Sequence, residues 1–261
     1  MKLFGNDNEE PRRLPKGVGA ALFAATALAL WWAASLCVSA PYILPSPDMV
    51  LVRAFELVPT KVFWQAVGFS ILRVVIGFAC GMLAGIALAV PMAACPRLRS
   101  VFAPFVKIIR TVPVVCFILL MLLWVNSAWL SAIISALMVI PVAWTNTVDA
   151  LDGLDRGIVE VAHVFHLSTA KRLFKIYLPA IAPQLLSTAA VGLGLAWKSG
   201  ITAEVLALPL FGIGSGIYHA KIALEAADIF VWALVIVALS LAMESALRAL
   251  AARFTGWGDG R

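Results

Sequence analysis

The sequence predicts an all-α membrane protein with six transmembrane helices, and three observations predict it. Hydrophobic residues make up 62% of the 261-residue chain and charged residues only 13%, roughly half the charge of an ordinary soluble domain. Mean hydropathy is +0.98 over the whole length, which leaves too little polar surface to wrap a water-soluble globule. The apolar residues fall in long uncharged blocks rather than in short strands, and a bilayer core needs about 20 apolar residues per helix.

These blocks place the elements in order. The first span covers residues 17–38 and is uncharged throughout. Arg12, Arg13 and Lys16 before it, and Val38-Ser39-Ala40 at its end, outline a secretory signal. Its apolar stretch, however, exceeds the roughly 7–15 residues of a cleaved one, so it reads as an uncleaved span, with Arg12-Arg13 only a weak export signal. Pro41, Pro45 and Pro47 break the helix, and residues 48–59 predict a short surface helix. The second span covers residues 69–90. Arg73 lies near its outer end, where a long side chain can snorkel to the interface. Gly77, Gly81 and Gly85 stand four apart; they either line one helix face and admit a neighbouring backbone, or occur by chance in a glycine-rich membrane chain.

Pro91, Pro96, Arg97 and Arg99 predict a loop. From Thr111 to Val148 no charged residue occurs. That stretch is too long for one span, so it predicts a helical hairpin turning at Asn126-Ser127, with the third span over 105–125 and the fourth over 129–148. A polar stretch covers 149–177. The fifth span covers 178–201, a segment with Gly212, Gly214 and Gly216 follows, and the sixth span covers 229–247, ending in Arg248 and Arg253. The chain thus divides into a cytoplasmic segment at 1–16, a transmembrane domain at 17–253 containing a cytoplasmic loop at 149–177, and a cytoplasmic tail at 254–261.

Charge sets the orientation. The chain carries a net +6. With the N-terminus inside, fifteen of the twenty Lys and Arg residues fall on inner segments, leaving Arg53, Lys61, Arg73, Lys198 and Lys221 to the outer half. The reverse arrangement violates the positive-inside rule. Both termini are expected in the cytoplasm, in a multi-pass protein of the bacterial inner membrane. The cations address the lipid bilayer rather than nucleic acid, because no basic run carries interleaved aromatics on an exposed face. Cys37, Cys80, Cys95 and Cys116 show no CxxC spacing and no nearby histidines; they read as small hydrophobes, with no metal site and no disulfide framework.

The stretch 149–177 carries the functional signal. Asp152 and Asp155 suit helix N-termini. Ile158, Val159, Ala162, Phe165 and Leu167 recur at near-helical spacing. Ser168 can cap a second helix over 169–177, with Lys171, Arg172 and Lys175 facing water or headgroups. Two readings stand: a helix–turn–helix projecting into the cytoplasm, with an apolar edge for a partner protein, or a segment lying flat on the membrane.

Glu160-Val161-Ala162, followed at matching spacing by Ile176-Tyr177-Leu178-Pro179, resembles the EAA-type cytoplasmic loop of binding-protein-dependent ATP-binding-cassette (ABC) permeases. Pro141 and Asn146-Thr147 resemble the stretch preceding that loop, and Ala196-Trp197 and Ala203-Glu204 the pairs following it. Arg110 with Pro113, and Leu44-Pro45-Ser46-Pro47, look like the subgroup for nitrate, sulfonate, taurine and bicarbonate uptake. The resemblance covers residues 41–253. It implies a type I importer permease in which Glu160, Val161, Ala162, Phe165, His166 and Ser168 belong to a coupling helix docked on a separate ATPase subunit, with Leu178 and Pro179 closing the motif. It also implies a solute-binding protein that delivers substrate, a second permease copy, and ATP and Mg²⁺ held by the ATPase. One departure stands out: the family's glycine six residues after the glutamate is here His166. The turn is then built differently, or the chain is a divergent member. The sequence itself holds no GxxxxGK[ST] phosphate loop, so this chain is expected to be a transport subunit with no cofactor and no enzymatic activity of its own.

Polar groups inside spans are costly, and each is a site candidate by default. Lys198, with Thr202 one turn on, can attract an anionic substrate; it can equally pair with Glu204 or snorkel outward. Asn146, with Thr145 and Thr147, lines an inner exit or bonds neighbouring helices. Glu244 and Arg248, four apart, pair on one helix face. The rival functions are a secondary transporter, which usually shows inverted repeats and more spans, and a channel or structural subunit; neither needs an ATPase.

Overall fold

A computed structural model describes residues 16–155, 157 and 169–255. Its helices are α1 (Lys16–Val38), α2 (Pro47–Leu57), α3 (Lys61–Ala94), α4 (Pro96–Thr111), α5 (Val114–Met121), α6 (Ser127–Asp152), α7 (Thr169–Arg172), α8 (Leu178–Ala207), α9 (Ile213–Ile222) and α10 (Ala226–Thr255). A π-helical turn (Leu173–Tyr177) joins α7 to α8. The described residues contain no strand. Five helices are long and apolar enough to cross a membrane: α1, α3, α6, α8 with its π turn, and α10. The bent pair α4 and α5 passes the same test jointly, which brings the count among the described residues to as many as six.

Capping explains where the long helices start. The Thr60 hydroxyl accepts the Phe63 N–H at 3.2 Å ahead of α3, and the Asn126 side chain accepts the Ala128 N–H at 2.8 Å ahead of α6. Each satisfies a backbone donor that has no partner within its own helix. α2 opens on Pro47, at a position where a missing N–H costs nothing.

Several expected boundaries need correction. The third span is not one helix over 105–125. α4 and α5 meet at 96°, because Pro113 has no N–H to continue the ladder and Val112 before it is extended, at φ −76° and ψ 133°. The helix at 129–148 runs on to Asp152, so Asp149 and Asp152 are helical and the loop begins at Gly153. Arg99 of α4 pairs with both acids, offsetting their unfavourable place at the negative end of a helix. α3 continues through Pro91 to Ala94, where a loop was expected. The last helix extends from Ala226 to Thr255, beyond 229–247, and carries the expected Arg248–Glu244 pair at 2.5 Å.

The bundle centres on α3, α6 and α8. A Cβ on Gly81 would meet the Ala136 carbonyl oxygen at 2.8 Å, and one on Gly85 would meet the Ala143 Cβ at 2.5 Å. Gly77 is tighter still against Ala132. The glycine row is therefore the α3–α6 seam, since only a bare backbone permits that approach. The α6–α8 seam is bonded across helices: Ser131 donates to the Gly200 carbonyl at 3.0 Å and Ser135 to the Ala196 carbonyl at 2.9 Å. Val74, Met82, Trp197 and Trp232 fill the space between α3, α8 and α10. α1 stands at the edge, stacking Trp31 on Phe230 at 5.3 Å.

Candidate functional site

One end of the bundle is tied by a buried polar knot. Glu204 is fully buried near the end of α8. Its carboxylate accepts from Arg73 Nη1 at 3.0 Å, Ser70 Oγ at 2.6 Å and the Gly214 N–H at 3.2 Å. Arg73 also donates to the carbonyls of Ala128 (2.7 Å) and Phe211 (2.6 Å). Ser70 Oγ in turn accepts the Ile213 N–H at 2.9 Å. Two of the free N–H groups at the start of α9 thus find acceptors, and the positive end of that helix faces a carboxylate. Leu208, in the left-handed region at φ 51°, turns the chain from α8 towards this knot. Two expectations fall here. Arg73 does not snorkel to the interface; it is buried. Glu204 pairs with Arg73 rather than with Lys198, because it faces into the bundle while Lys198 faces out of it. The knot joins α3, α6, α8 and the α8–α9 link, a holding role for Glu204 inside the bundle.

The opposite surface of α8 lacks such cover. Val191, Leu195, Lys198 and Thr202 fall at i, i+4, i+7 and i+11, the first three exposed and the last half-buried, so they form one outward stripe. A cavity of about 340 Å³ with Lys198, Ser240, Met243 and Glu244 in its wall lies along this stripe. A second, of about 450 Å³, is lined by Arg110, Met138, Pro141 and Asn146. Val191 and Leu195 belong to both. Lys198, Asn146 and the stripe are therefore brought to one side of the molecule. Asn146 Nδ2 donates to Thr188 Oγ1 at 3.1 Å, tying α6 to α8, while the Thr145 hydroxyl donates to its own helix at Pro141. Thr202 likewise donates to the Lys198 carbonyl at 2.8 Å. Sequence reasoning counted Arg110 only among the cations of the inner segments; the bend after α4 places it in this wall. Pro113, the residue that causes the bend, was the available signal.

At the opposite end, Leu178 opens α8 and Pro179 occupies its first turn, where the missing N–H is harmless. Glu160, Val161, Ala162, Phe165, His166 and Ser168 lie outside the described residues. The helices that carry them in and out, α6 and α7, end and begin on the side marked by the Arg99 ion pairs.

Residues 77–256 match the family described as binding-protein-dependent transport system inner membrane component. The chain is 27% identical over 241 residues to the taurine transport system permease protein of Escherichia coli K12, covering 89% of this chain and 87% of that one. It is 25% identical over 238 residues to a putative aliphatic sulfonates transport permease protein of Bacillus subtilis, covering 90% and 86%. A nitrate import permease protein of Synechocystis is 27% identical over 215 residues, covering 78% and 76%. Among solved structures, an amino acid ABC transporter chain has the same fold at a TM-score of 0.55 and 16% identity, with 78% of this chain and 95% of that chain covered.

Proposed function

The chain belongs to the family of inner-membrane components of binding-protein-dependent transport systems, the permeases of ABC importers, and on that premise we propose that it carries a small oxyanion of the sulfonate or nitrate type. The observation that carries this reading is the uncovered side of α8, where two cavities meet at Val191 and Leu195 and Lys198 supplies a cation. A route open along the flank of one chain needs a second chain to close it, so the transporting unit is a pair of copies with the α8 stripes facing each other. Relatives named for taurine, aliphatic sulfonates and nitrate support an anionic substrate.

In this reading, residues 160–168 form a helix that docks on a separate ATPase. That subunit holds ATP and Mg²⁺; a binding protein delivers solute at the outer end. Both termini and the loop after α6 are cytoplasmic. Glu160 supplies a charge for the partner and Phe165 an apolar anchor. Truncating such an anchor typically costs about 2 kcal/mol or more, and a desolvated charge pair adds a similar amount.

The test uses the whole importer in proteoliposomes. The purified complex is expected to hold two permease copies and two ATPases, and to accumulate taurine, ethanesulfonate or nitrate only with ATP. The double change Glu160→Lys with Phe165→Ala is expected to abolish both capture of the ATPase and uptake, with unchanged membrane insertion. Wild-type capture and uptake in that variant would refute the docking assignment and favour an ATPase-independent carrier.

A further inference from the structure

Arg110 occupies an unusual place for a cation. It sits in the last turn of α4, just before the 96° bend into α5. The residues across the cavity from it are Met138 and Pro141 of α6 and Val191 and Leu195 of α8. Pro141 falls near the midpoint of α6, a 26-residue helix, and Val191 near the midpoint of α8, a 30-residue one. At a rise of about 1.5 Å per residue, both midpoints lie close to the centre of a bilayer. Arg110 is therefore a mid-depth arginine.

Four other arginines of the bundle are paired. Arg73 is buried against Glu204. Arg99 pairs with Asp149 and Asp152 at the inner end, Arg53 with Asp228 at the outer end, and Arg248 with Glu244. Arg110 is exposed on the surface of the single chain and makes no hydrogen bond or ion pair among the described residues. A guanidinium at that depth cannot face lipid without a heavy cost. It must meet water or an anion, so the side formed by α4, α6 and α8 is wet.

The chemistry of the wall selects the ligand. A guanidinium presents a planar fork of N–H donors that matches two oxygens of a sulfonate, nitrate or carboxylate. Asn146, in the same wall, commits one amide hydrogen to Thr188 Oγ1 and has a second N–H to offer. Lys107, three residues before Arg110, shares a further cavity of about 310 Å³ with it on the inner side. Lys198 stands on the outer side, along the α8 stripe. The single carboxylate in these three walls is Glu244, and it is held by Arg248.

We propose that Arg110, with Asn146, forms an oxyanion-binding site at the middle of the translocation route, between Lys198 outside and Lys107 inside. Arg110 is then a residue that determines charge selectivity in this chain. The proposal rests on the reading above only in that a second copy closes the wet side.

The test is built so that the two readings fail separately. In the assembled importer, with Cys37, Cys80, Cys95 and Cys116 replaced, Val191→Cys places a reporter across the cavity from Arg110. An anionic methanethiosulfonate reagent is expected to modify it about 10-fold faster than a cationic one, because a one-signed cleft concentrates counter-ions to that degree. Arg110→Gln should remove the preference and Arg110→Lys should keep it. Added ethanesulfonate should slow modification while Arg110 is present, a measurement that needs no charge-removing variant. Inertness to both reagents would mean a lipid-facing surface and would overturn the site, as would a preference unchanged in Arg110→Gln. If the reporter behaves as expected but the wild-type importer takes up none of taurine, ethanesulfonate and nitrate, the site stands and the proposed substrate class fails.

Discussion

Removing Arg73 alone would strand a fully buried carboxylate. Glu204 would keep its bonds to Ser70 and Gly214 but lose its counter-charge, and breaking a buried pair from one side typically costs about 3–5 kcal/mol. Arg73→Leu is therefore expected to lower the unfolding midpoint of the detergent-solubilised protein sharply. Arg73→Leu with Glu204→Leu should recover part of that loss. It should not recover all, because the Ala128 and Phe211 carbonyls would still lack the donor they have now, at about 1–3 kcal/mol for each buried group left unsatisfied. If the double variant is no more stable than the single one, the guanidinium serves the carbonyls rather than the carboxylate.

The long elements are held by two different devices. α3 meets α6 through glycine; α6 meets α8 through serine hydroxyls. Lipid tails are as apolar as leucine, so close packing and interhelical hydrogen bonds must supply what burial from water supplies in soluble proteins. Gly81→Leu would force α3 off α6, since even a Cβ there meets the Ala136 backbone and Val139 Cβ at 2.8 Å; overpacking of this kind costs about 1–3 kcal/mol or more. Gly68→Ala is the control, because a Cβ at Gly68 meets nothing within 4 Å, and alanine is the better helix former by up to about 1 kcal/mol. Thermal unfolding should show a clear fall for the first and no fall for the second. α4 and α5 follow a third logic, in which Pro113 breaks one span into two pieces and leaves Arg110 at the corner.

Across the whole molecule, charged clusters mark the two ends. Arg99 with Asp149 and Asp152 lies at one end, Arg53 with Asp228, Glu56 and Glu225 at the other. The side chain of Asp228, and after it that of Glu56, hold the Arg53 guanidinium above its usual range. The positive-inside count assigns the Arg99 end to the cytoplasm. Single cysteines at Asp155→Cys and Lys221→Cys, in a chain cleared of the native four, test the assignment. An impermeant maleimide added from the periplasmic side is expected to label position 221 and not 155; the opposite pattern inverts the topology.

Composition and pattern alone were enough for the helical membrane class, the number of spans, the glycine seam and the Glu244–Arg248 pair. Each depends on residues close in sequence or on the energy of apolar blocks in lipid, which any arrangement of the bundle must respect. The family was legible for the same reason: the residues that carry the resemblance lie in short runs along the chain. Partnership across the bundle was not legible. Arg73 and Glu204 are far apart in sequence, and nothing in their neighbours distinguishes a snorkelling cation from a buried one; the packing of α3 against α8 decides it. Lys198 and Glu204 are close in sequence but point to different sides of α8, so proximity along the chain misled. Arg110 read as one cation of the inner segments; only the packing of α4 beside α6 and α8 shows that it lines a cavity with Asn146. Local sequence determines which segments enter the membrane; tertiary packing decides which charges inside it are paired, because counter-charges arrive from other helices.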